Sequence, residues 1–169
     1  MTETETPKRS RLIAISNRTA AGQESRAGGL AVALWDSLAD TRGLWIGWSG
    51  RILDFPSNRA RKSSEDGVEF ALTDYSRDQF DGFYLGYSNS VLWPVMHNRI
   101  DLAVFDSSFF RYYVEINEKF SDIVRRQATE DDLIWVHDYH FLLLGGILRE
   151  EGWTGRCGFF LHIPFPSPE

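Results

Sequence analysis

The sequence predicts an α/β fold, a Rossmann-like and mostly parallel sheet with flanking helices. Four short, nearly continuous apolar runs are typical of strands that are covered on both faces. Helical patterns separate these runs, and strands that alternate with helices form right-handed βαβ crossovers in a parallel sheet. The chain has 169 residues, of which 43% are hydrophobic. That length and composition suit a single domain with a sizeable core.

The predicted strands are rich in β-branched or aromatic residues and are bounded by turn or charged residues. They cover Leu12–Ser16, Leu44–Trp48, Leu133–His137 and Cys157–His162. A weaker run, Val68–Leu72, either extends the sheet or forms a hairpin with Leu44–Trp48. The stretch 51–67 has little apolar content and is predicted to be a solvated surface loop.

Helices are predicted between the strands, where apolar residues recur at helical spacing. They cover Gly29–Leu38, Arg77–Phe83, Asn89–His97, Ser107–Gln127 and Phe141–Glu151. Residues 1–10 are polar and aperiodic, which predicts a disordered lead-in before a domain at 11–169.

The composition limits which partners the protein can bind and where in the cell it is expected. The formal charge of −6 and the pI near 5.2 argue against a nucleic-acid or anionic-membrane partner, because such partners require a basic patch. The single Cys157 cannot form an internal disulfide. No apolar run approaches about 18 residues, and the start lacks a secretory signal pattern. The sequence therefore predicts a soluble cytoplasmic protein.

Polar residues follow the first strand. Arg18 could bind a phosphate through its planar fork of donors. Gly28 and Gly29 then open a helix, where exposed amides and the helix dipole favour an anion. Their spacing matches neither a dinucleotide fingerprint nor a Walker loop. An ordinary capping turn and a plain surface arginine remain open alternatives.

Two further groups of residues could carry chemistry. His137, Asp138 and His140 follow an apolar strand, where a carboxylate can bind sugar hydroxyls or act as a base. Tyr84 and Trp93 lie in an aromatic segment that could stack on a sugar ring. The alternatives are histidines satisfied in a packed turn and an aromatic core. His162, where the last predicted strand runs into the terminal loop, has the same ambiguity.

In their residues and their order, these segments closely resemble those of the trehalose-6-phosphate synthases. These proteins are retaining glycosyltransferases that join glucose from a nucleotide sugar to glucose 6-phosphate. The resemblance runs from about residue 11 to the last residue. The matching stretches are Ile15-Ser-Asn-Arg18, Gly28-Gly-Leu-Ala-Val32, Gly43-Leu-Trp-Ile-Gly-Trp-Ser-Gly50, Tyr87-Ser-Asn-Ser-Val-Leu-Trp-Pro94, Ile134-Trp-Val-His-Asp-Tyr-His140 and Gly158-Phe-Phe-Leu-His-Ile-Pro-Phe-Pro166.

The resemblance implies two Rossmann-like domains that face a cleft, with the acceptor held mainly by the first domain and the nucleotide mainly by the second. This chain looks like most of the first domain, apparently truncated and lacking the nucleotide-sugar domain. The fragment alone is therefore expected to be inactive. The implied substrates are glucose 6-phosphate and a UDP-glucose-like donor, with no metal or other cofactor. A homo-oligomer of the full-length protein stays open.

The resemblance also assigns acceptor residues by position. Arg18, Tyr84, Trp93 and Asp138 would line the glucose 6-phosphate pocket, and Arg18 would meet the phosphate. The choice of Tyr84 over Tyr87 depends on the alignment.

Donor and selectivity roles follow in the same way. Gly28 and Gly29 would approach the diphosphate and the glucosyl unit, and His162 would contact the transferred glucose. Asp138 and His162 are thus the catalytic candidates. Trp93 with Ile163 would border the acceptor where the anomer is chosen. Either Trp45 or Trp48 would also border the acceptor pocket.

Two other functions stay open on the sequence. A regulatory or binding domain could keep the glucose 6-phosphate pocket without a donor domain. A metal hydrolase could be built on His137, Asp138 and His140, although no cysteine or glutamate stands at a matching spacing to complete the ligand set.

Overall fold

The computed structural model describes residues 10–21 and 29–166, and a six-stranded sheet forms its centre. The strands are β1 (Leu12–Arg18), β2 (Leu44–Ile52), β3 (Arg61–Glu65), β4 (Val68–Tyr75), β5 (Leu133–His137) and β6 (Arg156–Phe160). Their spatial order is β3-β4-β2-β1-β5-β6. Only the β3–β4 pair among these is antiparallel, so the predicted mostly parallel sheet is confirmed. The predicted lead-in at residues 1–10 lies outside the described residues except for Ser10.

Helices cover both faces of the sheet. They are α1 (Gly29–Thr41), α2 (Arg77–Gln79), a π-helix (Phe80–Leu92), α3 (Trp93–Met96), α4 (Ser107–Gln127) and α5 (Leu144–Glu150), with 3-10 turns at Ile100–Leu102 and Tyr139–Phe141. Within the described residues, none of these helices is long and apolar enough to span a membrane.

Alternate residues of each strand enter two cores. From β1, Ile13 and Ile15 point into the larger core, which the π-helix, α4 and α5 complete. Ala14, between them, packs into the smaller core under α1, with Leu34 and Leu38. Side chains that alternate between the two faces of a strand are expected to be apolar at successive positions when both faces are covered, which explains why β1 is apolar from Leu12 to Ile15.

The prediction of a solvated loop over 51–67 was wrong in part, because β3 lies inside it. Arg61–Glu65 pairs antiparallel with β4, across a two-residue turn in which Asp66 and Gly67 both have positive φ. Asp-Gly is the typical sequence of such a hairpin. β3 has no apolar alternation since it is an exposed edge strand, where charged residues are favoured. The run around Val68–Leu72 extends the sheet parallel to β2.

The two helices predicted at Arg77–Phe83 and Asn89–His97 are one continuous helical segment, 77–96. Its π-helical part is unusually long for a form that is mostly seen as single turns near functional sites. Gly82 and Gly86 do not break it. A Cβ at Gly82 would stand 2.1 Å from the ring of Tyr112 on α4, so these glycines allow close helix packing.

The chain order places a crevice between β1 and β5. From β1 the chain moves to β2 and β4 on one side, and it then returns to β5 on the other side of β1. Open α/β sheets bind ligands outside the carboxyl ends of the strands at such a switch point. Arg18 ends β1 and Asp138 follows β5, so both residues lie at this edge.

Candidate functional site

Neighbours on β2 hold the side chain of Arg18 at the switch point. Arg18 pairs in register with Trp48, and its Cζ lies 5.0 Å from the centroid of the Trp48 ring. The Trp48 indole N–H donates to the carbonyl of Arg51 at 2.9 Å, which fixes the ring. Within residues 10–21 and 29–166, no carboxylate forms an ion pair with Arg18. Its exposed guanidinium therefore meets no competing acceptor there and suits an anion.

Gly50 gives this guanidinium its space. A Cβ at Gly50 would stand 2.8 Å from one terminal nitrogen of Arg18 and 3.0 Å from Cζ. We therefore expect Gly50→Ala to displace Arg18 and to weaken phosphate-ester binding about tenfold, as the loss of one good charge-assisted bond would. Isothermal titration calorimetry with glucose 6-phosphate measures this change.

Gly67→Ala is the matched control for that variant. Gly50 and Gly67 have φ of +89° and +86°, so either alanine strains the backbone by about 1 kcal/mol. A Cβ at Gly67 meets nothing within 4 Å. Equal losses of affinity in the two variants would contradict a specific contact between Gly50 and Arg18.

Of the two tyrosines that the sequence left in competition, Tyr84 reaches the site. Its ring centroid lies 6.1 Å from that of Trp48. The ring also stacks on His140 at 5.8 Å, with an interplanar angle of 13°. Tyr87 instead packs on Tyr113 of α4, at 4.6 Å.

The two tryptophans are separated in the same way. Trp45 is buried in the smaller core, where its ring stacks on Phe70. Its indole N–H donates to Ser16 Oγ at 2.8 Å. Trp48, on the opposite face of β2, is thus the tryptophan that borders Arg18.

Asp138 adopts a backbone conformation that is rare for a residue with a side chain. Its φ is +73°, and such strain is concentrated at functional sites. The carboxylate accepts hydrogen bonds from the backbone N–H of Tyr139 at 3.0 Å and of His162 at 3.4 Å. The N–H of Asp138 donates to the carbonyl of Phe160 at 2.8 Å. Asp138 therefore ties the end of β5 to the loop after β6.

His137 and His162 form a hydrogen-bonded pair. His137 Nδ1 lies 2.9 Å from His162 Nε2, and the two rings stack with centroids 5.2 Å apart. His137 is 1% exposed. Burial, and to a lesser degree the neighbouring imidazole, lowers the pKa of His137 to about 4. The buried member of the pair is therefore neutral at pH 7.

The 3-10 turn Tyr139–Phe141 packs against Tyr84 through His140. His140 is buried, and this desolvation lowers its pKa to about 3. The Tyr139 hydroxyl donates to Asn89 Oδ1 of the π-helix at 2.8 Å, and burial raises the pKa of Tyr139 above its usual value. In the described part of the chain, no three His, Cys, Asp or Glu side chains come together in a way that could hold a metal ion.

For the other predicted site residues, the structure gives at most a position, with no hydrogen bond or ring contact to Arg18, Asp138 or His162 within the described residues. Trp93, on α3, is 40% exposed and stacks on His97 with centroids 4.0 Å apart. Ile163 is half-buried in the segment after β6. Gly29 is the first residue of α1, and Gly28 lies outside the described residues. The roles assigned to these four residues stay predictions.

A cavity of about 310 Å³ lies between α1 and the ends of β5 and β6. Its lining includes Leu34 of α1, Trp135, Phe160 and both members of the histidine pair. A ligand there would meet His162 on one side and α1 on the other. Of the donor-side residues that the sequence predicted, His162 lines this cavity.

Sequence reasoning missed three contributors to the site. Gly50 shapes the Arg18 position, Asn89 orients Tyr139, and His137 pairs with His162. A signal existed for the pair, because parallel neighbouring strands place residues at their carboxyl ends side by side. Gly50 and Asn89 lie in stretches that resemble the family, but their contacts are tertiary and no local pattern indicates them.

The fold and this edge of the sheet define a Rossmann-like α/β domain with a candidate small-molecule site at the switch point of its strands. The chain belongs to glycosyltransferase family 20, whose model matches residues 2–169. The resemblance seen in the motifs is thereby confirmed.

Several relatives carry the name trehalose-6-phosphate synthase. The protein of that name from Sodalis glossinidius is 41% identical over 162 residues, which are 95% of this chain and 34% of the relative. A UDP-forming α,α-trehalose-phosphate synthase from Burkholderia vietnamiensis superposes with a TM-score of 0.90 and 46% identity, over 95% of this chain and 36% of that one. A Burkholderia xenovorans enzyme of the same name, solved with glucose 6-phosphate, gives 0.84 and 41%, over 94% and 34%. The chain thus spans about a third of the length of these relatives.

Proposed function

We propose that this chain supplies the acceptor side of a glycosyltransferase that joins glucose from UDP-glucose to glucose 6-phosphate, giving trehalose 6-phosphate. The observation that carries the proposal is the Arg18 guanidinium, which lies over Trp48 at the switch point with no ion-pair partner among the described residues. Relatives that are UDP-forming, and one solved with glucose 6-phosphate, support it.

The acceptor would lie across the ends of β1, β2 and β5. Arg18 would bind the phosphate through two parallel N–H donors, the strongest common contact with a phosphate. The faces of Trp48 and Tyr84 would pack on the sugar ring, whose C–H groups favour aromatic surfaces. Asp138, whose carboxylate keeps acceptor capacity beyond its two backbone bonds, would bind a sugar hydroxyl.

The donor would lie on the α1 side, in the cavity lined by His162. The amides of Gly29, the first residue of α1, and of Gly28, which precedes it in the sequence, would stabilise the diphosphate. In the transfer, the bond from the glucosyl C1 to the diphosphate oxygen breaks and a bond from C1 to the acceptor oxygen forms. The acceptor proton passes to the leaving diphosphate, whose charge amides and basic side chains would stabilise in place of a metal. A cytoplasmic location, as expected for a chain with one cysteine, belongs to the same proposal.

Binding and turnover can be tested separately. We expect calorimetry to show that glucose 6-phosphate binds this chain at least tenfold more tightly than glucose, since only the ester can engage Arg18. A second assay measures UDP release from UDP-glucose with and without glucose 6-phosphate, on this chain and on a version extended past Glu169.

The outcomes separate the functions considered. Acceptor-dependent UDP release supports the full proposal. Tight glucose 6-phosphate binding without UDP release in the extended version as well would favour the binding or regulatory function. Equal affinity for glucose and its 6-phosphate would refute the acceptor site.

A further inference from the structure

The surroundings of the histidine pair determine which of the two rings donates the hydrogen bond. One imidazole must donate across the 2.9 Å contact between His137 Nδ1 and His162 Nε2, and the other must accept. The second ring nitrogen of His137, Nε2, is buried with no hydrogen-bond partner among the described residues. His162, in contrast, is exposed, so its second nitrogen is open to solvent or to a ligand.

Burial decides which ring donates. If His137 carried its proton on Nε2, a buried N–H would lack an acceptor in the described structure. Unpaired buried N–H groups are rarer than unpaired buried acceptors. The proton of His137 therefore belongs on Nδ1, from which it donates to His162 Nε2. The lowered pKa of His137 agrees with a neutral ring of one fixed tautomer.

The consequence falls on His162. Because its Nε2 accepts, the proton of the neutral His162 ring lies on Nδ1, the opposite of the tautomer that a free imidazole prefers. The backbone N–H of His162 is held by the Asp138 carboxylate at 3.4 Å, and its ring packs on Phe160 with centroids 4.7 Å apart. Backbone, ring and tautomer are thus all restrained.

We propose that His137 is a positioning residue that holds His162 in the Nδ1–H tautomer, so that His162 presents a hydrogen-bond donor to a hydroxyl of the transferred sugar. That the ligand is the transferred sugar depends on the proposed function, whereas the tautomer of His162 is inferred from the geometry alone. His137, which is 1% exposed, acts on the substrate through His162.

The chain offers a matched pair of variants. In His137→Asn, the amide nitrogen takes the place of Nδ1 and can still donate to His162. In His137→Gln, the amide nitrogen takes the place of Nε2 and cannot. Both variants keep a neutral polar side chain of similar size, so only the position of the donor differs.

The primary measurement is the ring ¹⁵N spectrum of this chain at pH 7.5, in which a bare imidazole nitrogen resonates far downfield of a protonated one. We expect His162 in the Nδ1–H form in the unchanged chain and in His137→Asn. In His137→Gln it should return to a mixture dominated by Nε2–H. In a full-length chain that is active, we expect His137→Gln to lower kcat about tenfold, with little change in KM for glucose 6-phosphate.

An Nε2–H form of His162 in the unchanged chain would overturn the inference, and this spectrum decides the matter even if a variant does not fold. An unaltered His162 tautomer in a folded His137→Gln would overturn it as well. Since the spectra require no catalysis, failure of glucosyl transfer with the expected spectra counts against the proposed function and not against the tautomer.

Discussion

Replacing Arg18 with alanine is expected to weaken glucose 6-phosphate binding by about 2 to 3 kcal/mol, or roughly 30- to 150-fold. The guanidinium is exposed, lies on Trp48 and has no carboxylate partner in residues 10–21 and 29–166. Its removal therefore breaks no ion pair of the described structure, and the loss should appear in ligand affinity and not in folding. Calorimetry with glucose 6-phosphate, beside urea denaturation of the same variant, measures both quantities.

Arg77→Ala is the control for this variant. Arg77 also lies over an aromatic ring, that of Phe80 at 5.9 Å, but it is paired with Asp81 on the same helical segment. We expect its removal to leave the affinity unchanged. Arg18→Lys should recover part of the binding, because an ammonium keeps the charge but not the planar fork. An Arg18→Ala variant that binds glucose 6-phosphate as tightly as the unchanged chain would exclude Arg18 as the phosphate ligand.

Lowering the pH from 7 to 5 is expected to reduce the free energy of unfolding by about 2 kcal/mol through His140, and by up to about 4 kcal/mol with His137 included. Both histidines are buried, which lowers their pKa values in the folded chain to about 3 and about 4, against 6.5 in the unfolded chain. As the pH falls through 6.5, the unfolded chain binds protons that the folded chain does not. The contribution of these two histidines to stability is therefore present above pH 6.5 and is lost as the pH falls toward their folded-state pKa values of about 4 and about 3.

Urea denaturation at pH 7, 6 and 5 measures how the free energy of unfolding changes with pH. In His140→Gln the loss between pH 7 and 5 should fall by about half, because one of the two protons is no longer taken up. The comparison uses the slope, so a constant destabilisation of the variant does not affect it. A free energy of unfolding that is the same at pH 7 and 5 would show that these imidazoles are not held neutral.

Much of the fold could be predicted because its cause is local. A strand covered on both faces must be apolar at every position, and β1, β2 and β5 were located by that pattern within a few residues. α4 was predicted over the residues that it occupies, Ser107–Gln127. Its start has a local cause, since the Asp106 carboxylate accepts from the backbone N–H of Ser108 at 2.8 Å.

The elements that were missed depend on partners that are distant in sequence or on exposure. β3 is polar on both faces, and its pairing with β4 is what makes it a strand. The segment 77–96 continues through Gly82 and Gly86 because the rings of Tyr112 and Phe109 occupy the space that side chains there would need. Local preference for a break at glycine is outweighed by packing against α4.

The sequence by itself determined the fold class, the family and the types of side chain at the strand ends, since these follow from apolar periodicity and from motifs that are local in the chain. The tertiary structure alone decided which members of each motif meet. Trp48 borders Arg18 while Trp45 is buried on the other face, and Tyr84 faces the site while Tyr87 packs on α4. The pairing of His137 with His162 was likewise invisible, because it joins the ends of two strands 25 residues apart. A sequence states which groups are present, but the direction in which each side chain points depends on the register and packing of its neighbours.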